Sequence, residues 1–517
     1  MAAAPTRRRP RLPPGASAAA APGRGRWGGR LAALVAGAPL ALAFPRPGLW
    51  WLAFAGLVPL LLLARAAPTP REGAVRAWLG GGGFFLAVDA FLWPKVGPFM
   101  VPLALLLAAL WLPLGWLARR LLAGRGLAGP AAALLLLPSA FVGGEYVRSW
   151  QALGGPWGLL GASQWNNPPV LALAALGGVW AVSFLLVAVN VALAVALDPG
   201  TAAALRLQAA AAAAVLVAAA LAWSALRPAP VGAGTVRVAL VQPGVVHAVE
   251  PRFRASEAAS LALAGGHQRP GLVVWGESSV GRDPAANPGD LARLERVARA
   301  TGAPVLAGVD ARRGAGGIYK TALPVGPAGV LGSYDKTRLV PFGEYVPLRP
   351  LFGWVTRVTD AARQDRKRGR GLVVLRAGQL RVGPLICFES AFPDLARQLA
   401  RRGAELLVVQ TADTTFQHSW GPDQHASLAA VRAVEAGRPV VQAALSGTSA
   451  AFDARGRRLA WRPTGVRGAA VVTVPLASAG TPFDRAGDWV PAASGLALAG
   501  AGALALARRR PSATFRP

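Results

Sequence analysis

The chain contains one cysteine, Cys387, among 517 residues. No intramolecular disulfide can form, which excludes the small secreted folds that disulfides hold together. A lone cysteine is most often a small buried hydrophobic residue, so residue type alone assigns it no chemistry. It lies in the stretch GPLICFES, between an apolar run and a glutamate, and this setting makes it a candidate for a special role.

Lysine and acidic residues are also scarce. Aspartate and glutamate total 24 against 55 lysines and arginines, giving a net charge of +31. Such a chain could bind nucleic acid, but its arginines are scattered and their longest runs flank apolar segments, as topology signals do. We therefore predict no nucleic-acid partner. The lysines are Lys95, Lys320, Lys336 and Lys367.

The four histidines, His247, His267, His418 and His425, form no set with metal-binding spacing. We therefore predict no metal and no other cofactor. A catalytic cysteine–histidine pair would need His425 close to Cys387 in space, which the spacing along the chain leaves open.

Long apolar runs are abundant. Hydrophobic residues make up 53% of the chain and the mean hydropathy is +0.40, which indicates membrane spans. We predict about eight spans, at 31–45, 48–65, 77–94, 97–118, 127–147, 169–197, 203–225 and 489–507. If one weak span were instead a buried helix, the segment after the seventh span would lie on the opposite side of the membrane.

Arginine is concentrated in alternate loops and in both tails, which predicts that both termini are cytoplasmic. Residues 228–487 would then lie on the extracytoplasmic face. The predicted organisation is a disordered basic cytoplasmic tail at 1–30, a transmembrane domain of about seven spans at 31–227, an outer domain at 228–487, a final transmembrane helix at 488–507 and a basic cytoplasmic tail at 508–517.

Segment 228–487 alternates strand-like and helical patterns, which predicts an α/β domain. The strand-like runs are VRVALVQPG, GLVVWGESS, APVLAGVDA, VGPLICFES, ELLVVQTAD and RPVVQAALSG. The helical runs are PGDLARLERVARATG, AFPDLARQLARRGA and QHASLAAVRAVEAGR. The run GAGGIYKTALPVGPAG is typical of a hairpin and predicts a mixed sheet.

Three stretches place reactive side chains at strand ends. Glu277 follows the strand-like run VVW, and Cys387 stands between a strand and a helix that begins near Phe392. Lys336 and Glu344 share the loop SYDKTRLVPFGEYVP. A thiol needs a base to become a nucleophile, and a lysine can stabilise developing negative charge. Each of these residues taken alone is more often structural.

Together these stretches resemble the nitrilase superfamily, in which a glutamate, a lysine and a cysteine follow one another along the chain. YDKTRLVPFGEYVPLR, GGPWGLLGASQWN and TPFDRAGDW resemble the apolipoprotein N-acyltransferases within it. The resemblance implies a polytopic α-helical membrane protein of about eight spans that carries a nitrilase-like αββα sandwich. It also implies a bacterial cytoplasmic membrane location, with the catalytic domain on the extracytoplasmic face.

The resemblance implies that an acyl chain passes from a phospholipid to Cys387 as a thioester, and then to the α-amino group of the diacylglyceryl-cysteine of an apolipoprotein. By motif, Glu277 would be the general base and Lys336 the oxyanion-stabilising residue. Glu344, Phe388 and Glu389 would support the site. The implied partners are phospholipid, diacylglyceryl-modified apolipoproteins and membrane lipids, with the enzyme acting as a monomer.

The chain departs from the family pattern at Gly276, where proline is usual, and at Phe388, where tyrosine is frequent. Two alternatives remain open at this stage: a membrane-tethered nitrilase-like amidase, and a non-enzymatic membrane protein with a degenerate outer domain. The basic segment 363–371, RQDRKRGRG, is either a mobile lid that contacts anionic headgroups or a solvated loop.

Overall fold

The computed structural model describes residues 24–124, 127–313, 317–357, 364–478 and 480–508. The first half is helical, and its α-helices are α1 (Arg24–Gly37), α2 (Val58–Arg65), α3 (Pro70–Val88), α4 (Trp93–Val96), α5 (Met100–Ala108), α6 (Leu112–Leu122), α7 (Ala128–Arg148), α8 (Pro168–Leu171), α9 (Ala174–Leu197) and α10 (Ala203–Leu226).

Among the described residues, five helical stretches are long and apolar enough to cross a membrane: Ala90–Leu122, Ala128–Arg148, Ala174–Leu197, Ala203–Leu226 and Trp489–Ala507. The chain is therefore a membrane protein by helix length and composition. Helical segments also occupy the three remaining predicted runs, but they are shorter or less apolar. The count of eight spans stays a prediction.

Two helix boundaries differ from those expected. Helix α1 begins at Arg24, inside the segment predicted to be a disordered tail, and Arg30 forms an ion pair of 2.8 Å with Glu72. Helix α3 begins seven residues before the apolar run at 77–94, because the Thr69 hydroxyl accepts a hydrogen bond from the Glu72 N–H at 3.2 Å and caps the helix. The remainder of both predicted tails, 1–23 and 509–517, lies outside the described residues.

Residues 228–487 contain two β-sheets. Their strands are β1 (Gly232–Gln242), β2 (Leu272–Trp275), β3 (Val305–Arg313), β4 (Gly317–Gly326), β5 (Gly329–Val330), β6 (Tyr334–Asp335), β7 (Leu375–Ala377), β8 (Leu380–Ile386), β9 (Leu406–Thr411), β10 (Val440–Ala444), β11 (Ser449–Phe452), β12 (Arg458–Arg462) and β13 (Gly468–Ala477). One sheet has the order β13-β1-β2-β3-β4-β5 with β6 beside β4, and the other has the order β12-β11-β10-β9-β8-β7. Strands β2 and β3 are parallel whereas β3 and β4 are antiparallel, so the first sheet is mixed, as predicted.

The sheets pack face to face through apolar side chains that alternate along their strands. Val274 and Leu306 of the first sheet join Val408 and Val441 of the second in one buried cluster. Because strand side chains alternate, the other faces need their own cover. The helices of this segment are α11 (Val249–Leu261), α12 (Pro288–Thr301), α13 (Arg349–Phe352), α14 (Pro393–Arg401), α15 (Gly421–Ala436) and α16 (Pro482–Ala486), followed by α17 (Trp489–Ala507).

Helices α11 and α12 cover the outer face of the first sheet, and α14 and α15 cover that of the second. The result is the αββα sandwich that the family resemblance implies. All residues of α15 are buried, because its far side packs against α9 of the membrane half. The apolar core of the second sheet's outer face is therefore continuous with that of the membrane helices.

Candidate active site

Cys387 stands at a sharp turn that follows β8. The strand ends at Ile386, a short 3₁₀-helix spans Cys387–Ala391, and α14 begins at Pro393. The φ angle of Cys387 is +52°, in the left-handed region, which costs a non-glycine residue about 1–2 kcal/mol. We call this turn the cysteine elbow. The surrounding structure must hold it, and such strain often marks functional sites.

Glu277 occupies a second turn, two residues beyond β2. The next residue, Ser278, also has a left-handed φ, of +58°, and we call this turn the glutamate elbow. A Cβ atom at Gly276 would lie 2.1 Å from the backbone N of Leu445. Neither alanine nor the proline expected at this position would fit, because the backbone beyond β10 approaches too closely.

Lys336 follows β6 and is fully buried between two carboxylates. Its Nζ lies 3.4 Å from Glu277 Oε1 and 2.9 Å from Glu344 Oε1. Burial alone would lower the pKa of the ammonium, but the two carboxylates outweigh burial and hold that pKa well above its usual range. The Lys336 ammonium is therefore favoured over the neutral amine, and a positive charge in this position can stabilise a developing oxyanion.

Cys387 is half-buried as a residue and forms no disulfide. Burial in the site raises its pKa, and the Glu277 charge raises it further, against the opposing effect of Lys336. The resting thiol is therefore protonated at neutral pH. A base that removes its proton during attack is required, and the nearby Glu277 carboxylate can act in that role.

Glu389 and Glu344, both predicted to support the site, hold its backbone. Glu389 is fully buried. Its Oε1 accepts from the Tyr334 hydroxyl at 2.7 Å and from the Thr337 N–H at 2.7 Å, and its Oε2 accepts from the Ile386 N–H at 2.9 Å. Glu389 thus ties the loop that carries Lys336 to the cysteine elbow.

Glu344 Oε2 accepts from the Val340 N–H at 2.8 Å while Oε1 pairs with Lys336. The basic segment 363–371 packs behind this loop. Its Arg366 N–H donates to the Glu344 carbonyl at 2.7 Å, and its Gly369 N–H donates to the Lys336 carbonyl at 2.8 Å. Arg363, the first residue of this segment, lies outside the described residues.

Phe388 connects the site to the membrane half. Its ring packs edge to face on Phe392, with centroids 4.9 Å apart. Gly155, from the predicted GGPW motif, lies so close that a Cβ there would be 2.7 Å from Phe388 Cζ. The motif therefore forms one wall of the site, which its distance along the chain did not indicate.

His425 lies beside Cys387, an arrangement that the sequence left open. Its Nε2 lies 3.1 Å from the Cys387 carbonyl oxygen and its Nδ1 lies 2.9 Å from Asp413 Oδ1. The available signal was a histidine near the start of α15, close to the polar stretch that follows β9.

Lys320 is a half-buried lysine near Glu277. Its Nζ lies 2.8 Å from Asp310 Oδ1 and 4.0 Å from Glu277 Oε1, and it donates to the Ser278 hydroxyl. Burial opposes its charge, but Asp310 and then Glu277 raise its pKa. The rarity of lysine in this chain was the signal that could have identified it.

One group of described residues could hold a metal ion: Cys387, Asp413 and His425 offer ligand atoms within 4.8 Å of one another. The two His425 nitrogens are, however, already directed at Asp413 and at the Cys387 backbone carbonyl. The imidazole is therefore engaged on both sides, although Asp413 Oδ2 is buried without a hydrogen-bond partner.

Each half of the chain matches the model of a known protein family. Residues 36–192 match the family model described as the apolipoprotein N-acyltransferase N-terminal domain, and residues 237–481 match the carbon-nitrogen hydrolase model. The apolipoprotein N-acyltransferase of Azotobacter vinelandii is 34% identical over 94% of this chain and 96% of its own length. That of Geobacter metallireducens is 31% identical, covering 82% and 85%.

Among solved structures, a carbon-nitrogen hydrolase from Helicobacter pylori is 14% identical and covers 54% of this chain and 97% of its own, with a TM-score of 0.38. The two family models match successive parts of the chain, and the curated relatives match it across both halves. The chain therefore belongs to the apolipoprotein N-acyltransferase family.

Proposed function

We propose that this enzyme transfers an acyl chain from a phospholipid, through a thioester at Cys387, to the α-amino group of a diacylglyceryl-cysteine at the N-terminus of an apolipoprotein. The observation that carries this proposal is the grouping of Glu277, Lys336 and Glu344 in direct contact, beside a cysteine whose pKa their charges affect. Family membership selects acyl transfer among the reactions that such a group can perform.

In the first half-reaction, Glu277 removes the thiol proton of Cys387 and the sulfur attacks the ester carbonyl carbon of the phospholipid. Lys336 and the Phe388 N–H donate to the resulting oxyanion. The carbon–oxygen bond then breaks, and Glu277 returns the proton to the departing lysophospholipid oxygen. The product is an acyl thioester on the enzyme.

In the second half-reaction, the α-amino nitrogen of the acceptor attacks the thioester carbon. Glu277 accepts a proton from this nitrogen, the carbon–sulfur bond breaks and the proton returns to the Cys387 sulfur. The enzyme is regenerated and an amide is formed. Burial of Lys336 keeps the donor that stabilises both oxyanions in a fixed position.

We propose a bacterial cytoplasmic membrane location with about eight spans, 31–227 and 488–507 forming the transmembrane part and 228–487 the extracytoplasmic catalytic domain. Both substrates reside in a bilayer, and the continuity between α15 and the membrane helices supports a site at its surface. A reporter active only in the cytoplasm, fused near residue 300, should be silent. Activity of that fusion would reverse the proposed orientation.

The acyl-enzyme tests the chemistry directly. Incubation with phospholipid and no acceptor should add the mass of one fatty acyl chain, and neutral hydroxylamine should remove it. A peptide bearing diacylglyceryl-cysteine should discharge it as an amide. Cys387→Ala should show no adduct. Release of free fatty acid with the peptide left unmodified would instead indicate a membrane-tethered hydrolase.

A further inference from the structure

The cysteine elbow needs a partner for its own backbone. A left-handed residue at the end of a strand turns its peptide out of the sheet ladder, and a buried carbonyl must then find another donor. The Cys387 carbonyl oxygen lies 3.1 Å from His425 Nε2, and the same nitrogen is 3.0 Å from Ser390 Oγ. His425 therefore contacts two residues of the Cys387–Ala391 turn.

The second ring nitrogen of His425 also has fixed partners. Nδ1 lies 2.9 Å from Asp413 Oδ1 and 3.3 Å from the Thr411 hydroxyl. Both partners of the ring along this axis, a carboxylate and a carbonyl, can only accept, so a ring that bonds to both donates from both nitrogens. Burial opposes the charged ring, but Asp413 outweighs burial and raises the pKa of His425, with Glu277 adding a smaller effect from the first sheet.

A third contact comes from the membrane half. The Trp157 ring lies against His425 with centroids 5.6 Å apart, and its Nε1 donates to Gln424 Oε1 at 2.8 Å. Arg148, at the end of α7, donates to the Trp157 carbonyl. The GGPW motif thus contacts both His425 and Phe388.

We propose that His425, oriented by Asp413 and covered by Trp157, is a positioning residue for Cys387. Resting on the proposed function, this inference adds that the membrane half helps to aim the nucleophile. His425 acts on the Cys387 carbonyl rather than on its thiol, since Nε2 is occupied by that carbonyl and by Ser390. Glu277 remains the base.

The single thiol of the chain makes the test specific, because any thiol label reports Cys387 alone. The rates to measure are alkylation by iodoacetamide and formation of the acyl thioester from phospholipid vesicles. His425→Leu should slow thioester formation by about 10- to 100-fold, the scale of a nucleophile displaced by a fraction of an ångström to 1 Å. The KM for phospholipid should change little, so the loss appears in kcat.

His425→Gln keeps a donor of similar reach and should recover part of the rate lost in His425→Leu. His267→Leu, at an exposed histidine, is the matched control and should behave as wild type.

Asp413→Asn retains the shape of the network but removes the charge that holds the ring doubly protonated. Its rate relative to wild type should fall as the pH is raised from about 6 to 8, because a neutral imidazole that keeps its proton on Nδ1, facing the introduced amide oxygen, cannot donate to the Cys387 carbonyl.

The outcomes separate the inference from the proposed function. If wild-type Cys387 forms no thioester, the proposed covalent mechanism fails whatever the variants do. If the wild type forms it and folded His425→Leu forms it equally fast, His425 is not a positioning residue. Should His425→Leu fail to fold, a pH-independent wild-type rate in Asp413→Asn would overturn the inference on its own.

Discussion

The glutamate elbow and the cysteine elbow are built alike but held differently. Each places a left-handed residue just after a buried strand, Ser278 in one case and Cys387 in the other. Each is tied by a group that consists of a basic side chain, a carboxylate and a serine, half-buried at the glutamate elbow and buried at the cysteine elbow. At the glutamate elbow this group is Lys320, Asp310 and Ser278. At the cysteine elbow it is His425, Asp413 and Ser390.

The difference lies in where the cation comes from. Lys320 stands on β4 and Asp310 on β3, in the same sheet as β2, and the Glu277 N–H donates to the Thr411 carbonyl of the second sheet at 3.3 Å. His425 stands on α15, which packs against membrane helix α9. Among the described residues, the base is therefore supported by the two-sheet domain, whereas the nucleophile depends on contacts that reach the membrane half.

The largest expected effect comes from removing the base itself. Glu277→Gln should slow thioester formation by about 100- to 10,000-fold, the range of general-base catalysis. The amide cannot accept the thiol proton but preserves the shape of the glutamate elbow. Alkylation of Cys387 by iodoacetamide should still go to completion, which shows that the thiol is reachable, but its rate should also change, because Glu277 both accepts the thiol proton and raises the thiol pKa. A near wild-type acylation rate would transfer the base role to another group.

Replacing the shared cation tests whether its shape matters as much as its charge. Lys336→Arg should lose about 100- to 1000-fold in turnover, the cost of one oxyanion donor. The site encloses Lys336 completely, and a guanidinium is larger and more diffuse than an ammonium. The measurement is kcat for acyl transfer, and wild-type turnover in this variant would reduce Lys336 to a generic positive charge.

Removing the cation of the glutamate elbow should have a smaller effect. Lys320→Met removes the ammonium that contacts both Asp310 and the Ser278 hydroxyl. Glu277 should therefore lose its fixed orientation. We expect kcat to fall by about 10-fold, since the residue acts through Glu277. Arg312→Met removes a charge from an exposed position of the same hairpin and should leave kcat unchanged. Equal behaviour of the two variants would deny Lys320 a positioning role.

The smallest expected effect is a difference in local stability with pH. The folded pKa of His425 is raised, so its contribution is present at low pH and is lost as the pH rises through that folded value. Burial would raise the pKa of Asp310, but Lys320 lowers it overall. Its contribution is therefore present above its unfolded pKa and is lost as the pH falls through the folded one.

Hydrogen exchange of peptides covering 276–280 and 386–391, corrected for intrinsic rates, should detect this difference. Acid should loosen the glutamate elbow first, and alkali the cysteine elbow. Parallel loosening of both peptides at each end of the pH range would contradict the comparison.

The sequence by itself determined the chain's class and its candidate chemistry. Apolar runs and alternating patterns are one-dimensional properties, so they predicted membrane helices, a mixed sheet and helices at 288–302, 391–404 and 424–438, which the structure shows at 288–301, 393–401 and 421–436. The motifs around Glu277, Lys336 and Cys387 also lie within short continuous stretches. Family resemblance could therefore single out these residues without knowledge of the packing.

Only the tertiary structure decided what surrounds those residues. His425 reaches the carbonyl of a residue 38 positions earlier, and Lys320 reaches Ser278 across 42 positions. Gly276 is required by the backbone of Leu445, which follows strand β10 of the other sheet. An apolar pattern reports that a face is buried but not against what. These contacts arise where the ends of the two sheets meet the loop that carries Gly155 and Trp157. Only packing in three dimensions brings these segments together.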